Sequence, residues 1–220
     1  MEIERYLEIR RSFTKFVDII VQTDEDRKVN MKRAATKLGL LDEGVIVIME
    51  ELDSNALMDY MLFEKNGRAD RLIDRFLLHS KGNLDKNESN LLDGLLKNHF
   101  SFFELKAINK ENFTLSLFDI IEKKDLSLVD IGFSQTAIEG IFFAARIIPI
   151  EGINITSGLT FAFEEKNRLR LLTEISKHAR KKNRKRSIKI KANKTSSPKL
   201  IEIMIRAHKK WGVETITYLH

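Results

Sequence analysis

HFSFFELKAIN (His99–Asn109), NFTLSLFDII (Asn112–Ile121), DLSLVDI (Asp125–Ile131), IFFAARIIPI (Ile141–Ile150) and INITSGLTFAF (Ile153–Phe163) are the runs on which the fold turns. Each is short, rich in aromatic or β-branched residues, and bounded by Asn-Lys, Lys-Lys, Gly or Glu-Gly. That composition and punctuation predict strands over Phe100–Ile108, Phe113–Ile121, Leu126–Ile131, Ile141–Pro149 and Ile153–Phe163. Five strands within about 65 residues point to a small barrel-like antiparallel sheet. Most of the chain's fourteen phenylalanines lie there, as a compact β core requires.

Before His99 the apolar spacing is helical. Tyr6, Ile9, Phe13, Phe16 and Ile20 recur every three or four residues, which predicts an amphipathic helix from Glu2 to about Val21. A short helix is expected over Asn30–Leu38, stopped at Gly39. Ala34, Ala35 and Leu38 before Gly39 resemble the first half of a helix-turn-helix. No second helix with exposed Arg, Gln or Asn follows to read bases, so that reading is set aside. Residues 45–64 read as a mostly buried helix, residues 68–79 as another, and Lys86–Lys97 as a third that opens with an Asp85/Glu88 capping box.

After Glu164 the helical period returns and runs into HARKKNRKR. Ser187–Ala192 alternates as a strand, Ser196-Ser197-Pro198 opens a helix that continues to Trp211, and Val213–Leu219 reads as a final strand. The expected fold is therefore α+β: an N-terminal helical bundle (1–98), a five-stranded barrel-like sheet (99–163), and a basic helix followed by a strand-helix-strand tail (164–220).

The strings DYMLFEKNGRADRLIDRFL (59–77), NHFSFFELKAIN (98–109) and GIFFAARIIPIEG (140–152) resemble a group of uncharacterised bacterial hypothetical proteins. In that group an L-x-D-R-F helix precedes an S-[LF]-F-E-[VL] strand and an a-R-[ILV]-[ILV]-P-x-x-G strand. The resemblance spans roughly residues 58–163 and implies the helical-then-β layout; it implies no biochemical activity. Some proteins of that kind end in a cysteine-rich zinc motif, which this cysteine-free chain cannot form.

The absence of cysteine also excludes disulfides and a thiol nucleophile. The terminus MEIERYLEIRR is charged from its second residue, which predicts no signal peptide and a cytoplasmic location. No apolar run approaches the roughly 20 residues that span a bilayer, so no membrane partner is expected. Neither GxGxxG nor GxxxxGK[ST] occurs, and no paired His spacing marks a metal site, so neither cofactor nor metal is expected. The nearest phosphate cradle is the loop Asn193–Ser197, where a plain helix cap is the preferred reading. Glu104 and Arg146 are single charges on apolar strands. If both point inward they can pair as a buried salt bridge, with a structural role the preferred reading and a catalytic one the alternative.

Charge is the feature that points outward. Residues 1–98 and 99–163 each carry a net −3, whereas residues 164–220 carry +12. Between Lys177 and Lys194 stand Lys177, Arg180, Lys181, Lys182, Arg184, Lys185, Arg186, Lys189, Lys191 and Lys194, with no Asp or Glu among them. Such a run favours an anionic partner, nucleic acid or another polyanion, over any membrane face. A solvated linker is the alternative reading of the run. For the whole chain, a protein-interaction module or homo-oligomer is the alternative to polyanion binding, with an enzyme behind both.

Overall fold

A computed structural model describes residues 3–65, 70–80, 84–183 and 197–213. The chain divides into two compact units: residues 1–98 with 148–155, and residues 99–147 with 156–220. No described helix is long and apolar enough to cross a membrane.

The first unit is built from α1 (Ile3–Gln22), α2 (Arg27–Leu38), a small hairpin of β1 (Leu41–Asp42) and β2 (Val45–Ile46), α3 (Glu51–Phe63), α4 (Leu72–Ser80) and α5 (Lys86–Lys97). The α1 stripe is buried as its spacing predicts, from Tyr6 through Ile9, Phe13 and Phe16 to Ile20. Phe16 meets Phe76 of α4 edge to face at 5.5 Å. Asp24 closes the α1–α2 turn. Its buried carboxylate accepts Nδ2 of Asn30 at 3.0 Å and a guanidinium N–H of Arg75 at 3.1 Å. The Asp85/Glu88 capping box forms at the start of α5.

The expectation of one helix over residues 45–64 is corrected. Glu43 and Gly44 both adopt positive φ (44° and 82°), the turn that joins two strands tightly. Val45–Ile46 consequently pairs with Leu41–Asp42, and the helix starts only at Glu51. Val45 and Met49, read as core, are 65% and 78% exposed.

The second unit holds the five-stranded antiparallel sheet: β3 (His99–Asn109), β4 (Thr114–Asp119), β5 (Lys124–Val129), β6 (Phe142–Ile150) and β7 (Ile153–Phe163), in the order β5-β4-β3-β6-β7. The tip of the β6–β7 hairpin, 148–155, counts with the first unit. The expected strands are all present, but the sheet is open. Closure into a barrel would pair β5 with β7, and these are the two ends of the order. The faces are covered by helices instead. Phe100, Phe102, Phe161 and Phe163 lie on one side, with His208 of α8 (Ser197–Trp211) 5.8 Å from both Phe161 and Phe163. On the other side Phe103, Leu105, Leu115, Leu117, Leu128, Phe143 and Ala145 form a second core.

A short helix that periodicity missed, α6 (Ile131–Thr136), packs Phe133 on Phe143 at 4.9 Å. Its start is set by Asp130, which accepts the Phe133 N–H at 2.9 Å and ends the preceding strand at Val129. Beyond the sheet come a 3-10 turn (Glu165–Asn167) and α7 (Arg168–Asn183). The strand expected over 187–192 and most of the one expected over 213–219 lie outside the described residues; Gly212 and Val213 pair with Phe163 and Ala162.

The β6–β7 hairpin turns through Glu151 and Gly152, again with both φ positive (51° and 81°). Within the first unit Arg5 grips the Glu151 carboxylate at 2.6 Å, and α5 passes so close to the hairpin that a Cβ on Gly94 would stand 2.5 Å from the Pro149 carbonyl oxygen. Helix propensity alone predicts that Gly94→Ala stabilises by about 1 kcal/mol. Because the obstructing atom is backbone, we expect the opposite sign, a loss of about 1–3 kcal/mol, read from urea unfolding.

Candidate functional site

α7 and α8, which flank the basic segment in sequence, are tied to each other and to the sheet. The 3-10 turn buries Asn167, whose Nδ2 donates to the carbonyl of Trp211 at 3.2 Å and so ties the start of α7 to the end of α8. The Arg168 guanidinium carbon lies 5.1 Å from the centre of the Phe142 ring, and that of Arg170 6.0 Å from Trp211. Leu171 and Ile175 of α7, and Leu200, Ile201 and Met204 of α8, are buried. The segment 177–194 therefore leaves one anchored helix and leads to another.

Of the ten cations in that segment, Lys177 is exposed and bonds Glu174 at 2.6 Å. The backbones of Arg180, Lys181 and Lys182 belong to the last turns of α7, where cations are favoured by the negative end of the helix dipole. Arg184, Lys185, Arg186, Lys189, Lys191 and Lys194 lie outside the described residues, as do the side chains of Arg180, Lys181 and Lys182 and the loop residues 193–196.

The pairing of Glu104 with Arg146 is corrected. Both side chains belong to the same face of the sheet, but Arg146 stands opposite Phe100 and Glu104 opposite Phe142. Four strand positions separate them, roughly 13 Å. Glu104 instead bonds Lys106 at 2.6 Å. Arg146 is buried with its guanidinium carbon 5.5 Å from the Phe100 ring. The two charges do not form a joint site.

Another polar group lies on the opposite face. Asp119, fully buried at the end of β4, accepts Ser101 Oγ at 2.7 Å and the N–H groups of Ile121 and Glu122 at 2.9 and 2.8 Å. His99 Nε2 is 3.6 Å from its second oxygen. Ser, His and Asp meet here, but the carboxylate stands between hydroxyl and imidazole. In a nucleophilic triad the imidazole stands in the middle and takes the hydroxyl proton. Ser101 is buried and donates to Asp119, so the arrangement serves to hold the β4–β5 turn. The signal for it was present in sequence: His99 and Ser101 are polar at i and i+2 on an otherwise apolar strand face.

A cavity of about 510 Å³ opens between Phe133, Ile138 and Val213, with Glu139, Glu164 and Glu165 around it. Its carboxylates repel anions, so it is no seat for a phosphate. Among the described residues no group of three or more His, Asp or Glu could hold a metal ion.

The model of a family described as a family of unknown function (DUF7986) matches residues 1–195. No curated protein and no solved structure matches the chain.

Burial would push the Asp119 carboxyl up, but the neighbouring His99 imidazole and the bonds from the Glu122 N–H, Ser101 and the Ile121 N–H outweigh it and hold the group below the usual aspartate range. A depressed folded pKa adds stability that is present above the unfolded value and lost as pH falls through the folded one. Asp119→Asn should therefore cost about 1–3 kcal/mol at pH 7 and flatten the fall in stability below about pH 4. Thermal unfolding of both proteins from pH 7 to pH 2 reads both effects; parallel curves would contradict them.

Proposed function

The chain belongs to this family of unknown function, and from its own residues we propose that it is a non-catalytic binding protein that contacts nucleic acid, or a polyanion of like charge density, through the basic segment 177–194. The observation that carries the reading is ten Lys or Arg with no Asp or Glu in 18 residues, on a chain whose remaining residues are net −4. Two like charges 6 Å apart repel by roughly 0.7 kcal/mol in water before screening, and many such pairs crowd this stretch. A phosphate backbone turns that repulsion into attraction and releases its own counterions on contact.

Two features of the surroundings support the reading. In sequence the segment joins α7 to α8, and both helices pack on the sheet, so it is tied to the folded chain at both ends. The carboxylates of Glu139, Glu164 and Glu165 around the cavity repel the same polymer from that part of the molecule, which favours attachment through crowded cations. The binding reads charge and not bases: of aromatic residues, 164–220 contains Trp211 and Tyr218 alone, too few for a stacking platform.

Reversing the charges of Lys181, Lys182, Arg184, Lys185 and Arg186 to Glu in the full chain should abolish retention on immobilised heparin and on duplex DNA at 150 mM salt, while the thermal midpoint changes little. Unchanged retention would remove the basis of this function.

A further inference from the structure

A second basic surface lies in the other unit, at a distance in sequence from residues 177–194. Helix α2 reads RKVNMKRAATKL and contains Arg27, Lys28, Lys32, Arg33 and Lys37 with no acidic residue. Every other described helix longer than six residues mixes the two signs or is acidic, as α3 is. The helix buries Asn30, Ala34, Ala35 and Leu38 and leaves those five cations exposed. At 100° per residue, Lys28, Lys32, Arg33 and Lys37 share the outer half of the cylinder with Val29 and Thr36.

None of these four cations has a side-chain hydrogen bond or ion pair among the described residues. The acidic neighbours are Glu25 and Asp26 before the helix and Asp42 and Glu43 in the hairpin, where Gly44 lies beside Lys32. None of them pairs with these cations. A surface helix usually satisfies its lysines with Glu or Asp three or four residues away; α2 has none to offer.

The face is also rigid. Asn30 of α2 bonds the buried Asp24 carboxylate, which Arg75 of α4 holds from the other side. At the far end Gly39 closes the helix in the left-handed conformation (φ 75°), with Leu40 N–H bonded to the Ala35 carbonyl at 2.8 Å. The cations stand on a helix pinned at both ends, so ordering them for a ligand costs side-chain entropy alone.

We propose that the exposed face of α2 is a second contact for the phosphate backbone of a nucleic acid. Lys28 to Lys37 spans about 14 Å of helix, over which a DNA duplex presents about eight phosphate charges. Four uncompensated cations on that length match a linear polyanion, whereas a single phosphate or carboxylate would engage one or two. The α2 surface carries no demand for sequence, since phosphate contacts position a protein without reading bases. It stands independently of the function proposed for residues 177–194.

The test uses the full chain and a fluorescein-labelled 25-base-pair duplex, titrated by anisotropy from 50 to 200 mM salt. Replacing Lys28, Lys32, Arg33 and Lys37 by Gln, which keeps helix propensity close to that of Lys, should weaken binding at least tenfold at 100 mM. The slope of log affinity against log salt should fall by about three to four. A control set, Arg11, Lys15, Lys86 and Lys110 to Gln, removes the same net charge from other exposed positions and should have a much smaller effect.

An α2 set that binds as tightly as the unaltered chain, or no more weakly than the control set, would overturn the proposal. So would an unaltered chain that ignores the duplex and binds phosphatidylserine vesicles through the same four residues. A parallel variant neutralised across 177–194 separates the two readings: if it alone loses binding, α2 is not a contact, and if the α2 set alone loses binding, the proposed function of the segment fails and this one stands. Circular dichroism melts within a few degrees of each other confirm that all variants fold.

Discussion

β3 has to be buried on both faces at once. Phe100 and Phe102 belong to one side, Phe103 and Leu105 to the other, and all four are buried. Removing a phenylalanine side chain from water is worth roughly 1.5–3 kcal/mol, so neither face can be left to solvent. The sheet meets this requirement with two layers of cover and not by closing on itself. α8 lies against the face of Phe161 and Phe163, and α6 covers the other through Phe133. Placing α8 on that face fixes, through Asn167 and Trp211, where α7 begins. The starting point of α7 thus depends on the burial of one strand.

Much of this was legible in the sequence, where the residues carried a period or a cap. The α1 stripe, the Asp85/Glu88 box and the five strands appear where their spacing and punctuation placed them. The misreadings have local physical causes. Val45–Met49 looked like core because it is apolar, but the Glu43-Gly44 turn commits Val45 and Ile46 to a hairpin. Periodicity could not find α6, at six residues too short for a period; its evidence is the single cap at Asp130. Glu104 and Arg146 invited pairing because both are lone charges on apolar strands. Only the register, which sequence does not supply, sets them four positions apart. The Asp119 group escaped notice because its parts come from two strands and a turn.

The electrostatic account follows from how charge is distributed over these elements. Averaged over residues 1–98 the charge is −3, and the average conceals α2, whose cations are gathered on one helix and whose balancing acids are elsewhere. An expected helix start at Asn30 also cut Arg27 and Lys28 away from the rest; the observed start at Arg27 restores the face. In residues 177–194 the concentration is visible without any structure. As proposed, both stretches would contact a linear anion for the same reason, namely that cations crowded together with no acid among them gain more from a row of phosphates than from isolated counterions.

The most direct measurement is the affinity of the unaltered full chain for two duplexes of unrelated sequence as salt is raised. The account predicts equal affinities for the two sequences and a fall of about a thousandfold or more between 50 and 200 mM salt, the loss that goes with roughly six or more phosphate contacts. Affinity that is independent of salt, that differs strongly between the sequences, or that is absent at 50 mM would contradict it.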